Sequence, residues 1–450
     1  MPRTSDGQAA AGEGSDRRTV VVIGDGDLSE ETARAVEASG ARVSRLREPS
    51  EGNVREALNG GVDSVAVVAR TDAIVLRVAL MVRAVSREVP LLLTIFDATM
   101  AEEVAREWPD TRVTSLADIV APSLAGPCID GRFTGVSIND GRRVGLVESD
   151  GDVRERPIPS RKPRRVQAFA RDLLTPYDNS AGLLLFGALA LLTVLALETV
   201  SAVFVLDQQV VDATYGSAKT LVTVDPNTKV SAGPDWYKLL TSATMLVAFV
   251  LAAGFTAGLV NRVLDRRLTG LFGRRAVPRR DHVVVVGLGQ VGLRLCLLLR
   301  ACGIPVVAVE QDGENENVGR AKELGLPVVL GSGADQSLLG RLSLQRATAV
   351  AAVTEDDIEN ISVAMTARAV YDEMHVVLRV GDGEIAHETR SLLALGLVRD
   401  VHRIAAALLA AMALGREAES VVCLGDDVHL RFPDGRLERA EFDTLQGSGG

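Results

Sequence analysis

The 450-residue sequence predicts two doubly wound α/β domains, each with a parallel sheet, separated by a two-helix α transmembrane module with a re-entrant loop. Three observations carry that prediction. An apolar strand runs into a glycine-rich turn and an amphipathic segment at HVVVVGLGQVG, His282 to Gly292. The same pattern stands earlier in the chain, where Gly24, Gly26 and Gly40 match Gly287, Gly289 and Gly303 at one constant offset. Between the copies lie two long apolar runs, 180–206, whose one charge is Glu198, and 239–261, which has none.

Composition narrows the functional classes. An apolar content of 47% is ample for two or three cores. The net charge of -10 argues against a nucleic-acid partner, because binding a polyanion needs a broad basic face. Cys128, Cys296, Cys302 and Cys423 show no ligand spacing and read as reduced, packed thiols. Among the five histidines no metal-ligating pair occurs; Glu384 and His387, three apart, read as a solvated helix face, and no metal site is expected.

The glycines Gly287, Gly289 and Gly292 permit a tight turn, close approach of a pyrophosphate to backbone N–H groups at a helix N-terminus, and tight helix packing on the strand. A second strand, PVVAVE, follows the amphipathic segment and ends at Glu310, where a carboxylate can take a ribose hydroxyl pair. A lone glycine motif is weak evidence. Strand, glycines, helix, strand and acid in that order predict a dinucleotide-binding, Rossmann-like domain over 281–415.

In chain order, residues 1–17 hold no apolar segment and read as a disordered tail. Residues 18–125 are the first copy of the domain. Asp72, Ala79, Arg83, Asp97 and Glu103 precede Asp357, Ala364, Arg368, Asp382 and Glu388 by a second constant offset, an internal repeat. This offset is larger than that of the glycines, so the first copy is the shorter one, and the piece without a counterpart is PVVLGSGADQSLLG, a strand and a helix. Ser29 stands where Gly292 is, and Arg47 where Glu310 is. An arginine could accept a phosphate-bearing ligand, but with the shortening too, a structural copy without NAD is favoured. Residues 126–179 give a short β-rich stretch and a basic linker, 265–280 a second basic linker, and 416–450 a short extension whose VVCLGDDVHLRFPDGRLE reads as a hairpin.

The runs 180–206 and 239–261, within a module spanning 180–264, are long enough to cross the hydrocarbon layer. Seven basic residues lie just before the first run (Arg154 to Arg171) and seven just after the second (Arg262 to Arg280), against Lys219, Lys229 and Lys238 between them. Basic residues favour the cytoplasmic side, so both termini are expected inside a cell membrane. Trp236 and Tyr237 fit an interfacial belt, Glu198 is expected to be buried against polar partners, and Gly254 with Gly258 suggests close helix packing.

The segment HVVVVGLGQVG…VVAVEQD…LPVVLGSGADQSLLG…AVAAVTEDDIENISVAMTARAV…HVVLRV resembles the RCK domain, the regulatory module of potassium channels and of Trk-type potassium uptake. The resemblance implies NAD, as NADH, or a related adenine nucleotide, held by Gly287, Gly289, Gln290, Val291, Gly292, Glu310, Gly331 and Ser332. Gly331 and Ser332 stand where the family usually has Gly-Asp near the adenine, which leaves the nucleotide's identity open. The run Glu355, Asp356, Asp357 reads as charge favourable to a helix N-terminus, with cation binding as the alternative.

The loop between the spans is similar to a potassium-channel pore segment, with Thr220, Thr223, Val224, Asp225, Pro226 and Asn227 at filter-like positions. The match fails after Val224. Asp225 and Asn227 occupy glycine positions, and Pro226 fixes its own φ and constrains Asp225, so a carbonyl ladder is not expected. An ordinary Asp-Pro-Asn turn is one reading; a ring of Asp225 carboxylates in a homotetramer, drawing potassium or a less selective cation, is the other. The whole reads as a nucleotide-gated cation channel of potassium-channel ancestry, or as a non-conducting, membrane-anchored NAD-binding regulator of a transporter. Tyr215 and Lys219 match a dehydrogenase pair but precede the nucleotide fold, so an oxidoreductase is not favoured and no catalytic residue is named.

Overall fold

The computed structural model describes residues 17–139, 142–149, 151–158, 179–221, 229–264 and 280–442. The tail, both basic linkers and the filter-like Thr223, Val224, Asp225, Pro226 and Asn227 lie outside the described residues. The chain divides into two units, Met1–Arg161 with Arg275–Gly450, and Lys162–Arg274.

The first copy runs β1 (Thr19–Ile23), α1 (Asp27–Ala38), β2 (Arg42–Leu46), α2 (Glu51–Leu58), β3 (Ser64–Val67), α3 (Asp72–Val85), β4 (Leu91–Thr94), α4 (Ala98–Glu107), β5 (Thr111–Thr114) and α5 (Leu116–Ile129). Its sheet has the order β2-β1-β3-β4-β5, with every pairing parallel. Strands such as SVAV are buried along their whole length, as a sheet covered on both faces requires. Helix α5 carries the copy past residue 125, so the domain edge set at 125/126 falls inside a helix. A three-stranded antiparallel meander follows, β6 (Phe133–Asn139), β7 (Arg142–Ser149) and β8 (Asp152–Pro157).

The second unit holds α6 (Asn179–Leu206), α7 (Val210–Leu221) and α8 (Asp235–Leu264). Within α6 and α8, stretches of 21 and 23 residues are long and apolar enough to cross a membrane, and of an apolar 18-residue segment in each only 11% is buried. A core helix of a water-soluble protein would hide that surface. The amphipathic α7 turns Ala213, Gly216, Ser217 and Thr220 inward and leaves Val211 and Tyr215 exposed. Glu198 is buried and hydrogen-bonds Thr244 across the α6–α8 pair, as expected of an intramembrane acid. Of the two residues expected in an interfacial belt, Trp236 is exposed, whereas Tyr237 is 1% exposed, its hydroxyl 3.2 Å from Ser201 Oγ. A Cβ on Gly254 would meet nothing within 4 Å among the described residues, so the close helix packing suggested there is not made by them.

The second copy runs β9 (His282–Val286), α9 (Gln290–Ala301), β10 (Val306–Glu310), α10 (Glu316–Glu323), β11 (Val328–Leu330), α11 (Gln336–Arg341), β12 (Ala347–Ala352), α12 (Asp357–Val370), β13 (Val376–Val380), α13 (Gly383–Leu392), β14 (Leu397–Asp400) and α14 (Val401–Ala413). The parallel sheet reads β11-β10-β9-β12-β13-β14. The strand and helix that the first copy lacks are thus the edge strand β11 and helix α11, which explains five strands against six. The hairpin expected in the extension is part of a second meander, β15 (Ser420–Leu424), β16 (Asp427–Arg431) and β17 (Leu437–Arg439).

One repeated hydrogen-bond set shows how closely the copies agree. The Asp72 carboxylate accepts from Phe96 and Asp97 backbone N–H at 2.9 and 2.8 Å. Its counterpart Asp357 accepts from Gly381 and Asp382 N–H at 2.9 Å each. Each acid therefore ties the start of one helix to the strand end before the next.

The copies exchange helices. Helix α5 packs on α9, and α14 packs on α1. Apolar on every side, α5 is buried almost throughout, as an all-round apolar helix must be. A single apolar core therefore runs through both copies, with Val20, Leu124, Val285 and Leu409 among its members. Polar contacts fix the pairing: Arg294 Nε lies 2.7 Å from Asp118, Arg320 Nη2 lies 2.6 Å from Asp97, and the Phe96 ring has the Arg294 and Arg320 guanidiniums 5.6 and 6.0 Å from its centre.

Burial in this unit also sets a pH response. His282 is fully buried, its Nε2 donating to Leu342 O at 3.0 Å, and burial pushes its pKa below 6.5. Burial lowers His375 and His402 likewise, with Arg379 adding to the effect at His402. The unfolded chain takes up protons near pH 6.5 that the folded one refuses. Stability is then full above that pH and falls as pH drops through it, by about 1.4 kcal/mol per pH unit for each such proton. Denaturation midpoints measured from about pH 7.5 to 5 should decline accordingly, and His282→Asn should flatten the slope.

Candidate nucleotide site

At the end of β9 the chain turns through Gly287 at φ +94°, its N–H bonded to Val309 O at 2.9 Å. A Cβ on Gly287 would lie 2.7 Å from Thr354 N, so the loop can pass there only as bare backbone. Gly289 caps α9 without a side chain, and the first turn of that helix carries no acidic residue. Its unpaired N–H groups and positive dipole end are thus open to an anion. A Cβ on Gly292 would collide with the Gly287 carbonyl oxygen, so helix and loop pack as closely as backbone allows.

Glu310, at the end of β10, is held rigidly. Its Oε2 accepts from Leu288 N–H at 2.7 Å and from Asn315 Nδ2 at 3.4 Å, and Oε1 accepts from Asp312 N–H at 3.0 Å. Across the loop Asn360, wholly buried, accepts from Thr354 N–H at 2.8 Å and donates to the carbonyls of Thr354 and Arg379 at 3.0 Å each. Arg379 is buried beneath, donating to Thr354 O at 3.1 Å; burial holds its guanidinium below the usual pKa, against the pull of Glu355 and Asp357.

These elements enclose a cleft of about 600 Å³. Of the eight positions named from sequence, Gly287, Gly289, Glu310 and Gly331 line it, while Gln290, Val291 and Gly292 form the first turn of α9 behind it. Ser332 is not among the lining residues; its hydroxyl accepts from Ala334 N–H at 3.2 Å. The lining residues that sequence reasoning missed include Leu288, Asn315, Thr354 and Glu359. Asn360 had a signal: the equivalent residue of the first copy is the buried Val75, and a core position that changes from valine to asparagine marks a local polar task.

The equivalent place in the first copy is built differently. Ser29 Oγ donates to Gly24 O at 3.1 Å, and Gly24 adopts φ +155° where Gly287 has +94°. Arg47, in the place of Glu310, pairs with Glu30 at 2.5 Å, and Arg45 joins it at 3.1 Å. Asp27 and Glu30 occupy the first turn of α1, where a phosphate would meet carboxylates.

Residues 283–398 match the TrkA-N domain family. The voltage-gated potassium channel Kch of Escherichia coli is 22% identical over 230 residues, covering 46% of this chain and 52% of that protein. The Trk system potassium uptake protein TrkA of Streptomyces coelicolor is 32% identical over 102 residues, 22% of this chain and 45% of that one. The chain thus spans about half the length of these curated relatives. Among solved structures, the GsuK channel bound to NAD aligns with 12% identity and a TM-score of 0.49, over 89% of this chain and 64% of that chain. Glycine loop, strand-end carboxylate and family match coincide in one segment: residues 283–398 match the TrkA-N domain, within a chain similar to potassium-channel and potassium-uptake proteins.

Proposed function

We propose that the chain is a multi-pass membrane protein that passes potassium, or cations less selectively, under the control of an adenine dinucleotide, NAD or NADH, bound at the end of β9. The observation that supports it most is the pairing, in one chain, of a TrkA-N domain with two membrane-length helices flanking the short amphipathic α7. The first turn of α9, with Gln290, Val291 and Gly292, takes the pyrophosphate, Glu310 the ribose hydroxyls, and Gly331 lies beside the adenine. Both termini are cytoplasmic by the distribution of basic residues. Four chains surround an axis with Asp225 as a carboxylate ring, and ligand binding favours one arrangement of the assembly over another. The protein performs no chemical step.

A second reading, a non-conducting regulator of a separate transporter, is favoured by Pro226 and Asp225, which oppose a carbonyl ladder. Flux of potassium and sodium into liposomes holding the purified chain separates the two. The channel reading expects flux that responds to NADH, loses that response in Glu310→Ala and is lost in Asp225→Asn. Absence of flux under every nucleotide, with binding intact, selects the regulator.

A further inference from the structure

Resting on the nucleotide reading of the β9 cleft, we infer that this site ranks its ligands by net charge, binding oxidised NAD most tightly, then NADH, ADP and ATP in that order. The cleft is lined by four carboxylates, Glu310, Asp312, Glu355 and Glu359, and, among the described residues, by no lysine, arginine or histidine. Arg379, the cation directly behind the loop, is 8% exposed, directed at the Thr354 carbonyl and not part of the lining. What attracts a pyrophosphate is therefore the start of α9 alone, equivalent to roughly half a positive charge.

Two of the acids flank that helix start. Glu355 Oε1 lies 3.8 Å from the Cβ position of Gly289, the residue that caps α9, and Glu359 lines the same wall from the first turn of α12. The fold does not impose this sign. In the first copy the residue equivalent to Glu355 is Arg70, whose Nε stands 3.7 Å from the Cβ position of Gly26. The second copy thus places a carboxylate where the scaffold also accepts a guanidinium.

Two unit charges about 4 Å apart in water interact by a factor of about five in affinity. At neutral pH the pyridinium of oxidised NAD cancels one phosphate charge. Each step from there to NADH, ADP and ATP adds a unit of negative charge to the same field. Added salt screens the repulsion, so it strengthens ATP binding, opposite to the usual weakening for an anion on a basic site.

Calorimetric titration of the full chain in detergent, at low salt and without divalent cations, reads the order directly. The expected result is a series weakening by about fivefold per step. In the double variant Glu355→Gln with Glu359→Gln the series contracts, ATP gaining at least about fivefold more than oxidised NAD. Unchanged melting temperature of the variant secures the comparison. ATP binding as tightly as oxidised NAD, or a variant whose spread equals that of the wild type, overturns the inference while leaving the nucleotide site standing. Failure of all four ligands to bind would instead remove the site itself.

Discussion

Gly292→Ser is expected to leave the chain folded and to cost nucleotide affinity at least about a hundredfold, roughly 2.7 kcal/mol. The molecule already contains the outcome of this substitution. Ser29 occupies the equivalent place in the first copy, bonds its own loop carbonyl at Gly24 and is accompanied by a loop of different φ. A serine at 292 would drive its Cβ into the Gly287 carbonyl oxygen, so the loop must move toward the first copy's shape. Overpacking of this kind costs about 1–3 kcal/mol of stability. The larger loss falls on ligand affinity, because the N–H groups at the start of α9 no longer converge with Glu310. Thermal melting and titration with NADH measure the two effects; a variant with wild-type affinity would show that the close loop–helix approach is irrelevant to binding.

Asp357→Ala is expected to destabilise the unit by about 3 kcal/mol, since an ionised acceptor serving two backbone N–H groups is removed and hydrogen bonds to charged groups contribute about 1.5–3 kcal/mol each. Gly381 and Asp382 would be left with unpaired N–H groups at the start of α13. Asp357→Asn keeps one acceptor oxygen and should lose about half as much. Denaturant midpoints for the wild type and the two variants give the comparison, and a loss below about 0.5 kcal/mol for the alanine variant would refute the assigned role.

The parts of this fold visible in the sequence were those written in local spacing. The glycine triplet, Glu310 at a strand end, and the two offsets between the copies located both sheets and the strand missing from one of them. What stayed hidden depends on partners far away in the chain. Phe96 sits with the guanidiniums of Arg294 and Arg320, which belong to the other copy, and Leu288 N–H reaches Glu310 across the strand crossing. Neither leaves a periodic trace. The burial of Tyr237 was hidden for a related reason: its place near a span end suggested an amphipathic belt, and the sequence does not show that its hydroxyl finds Ser201 on the neighbouring helix with the ring following it inward.

The helix exchange sets a timing problem for synthesis. Helix α5 is complete at Ile129, but α9, which covers it, ends at Ala301, with the membrane helices made in between. At roughly 5–20 residues per second, the ribosome leaves the α9-facing side of that apolar helix uncovered for on the order of ten to thirty seconds. A holding chaperone has that long to act, and so does an α9 emerging from an adjacent ribosome on the same message. Swapped pairing between sister chains, caught while still nascent, is the misassembly this architecture invites.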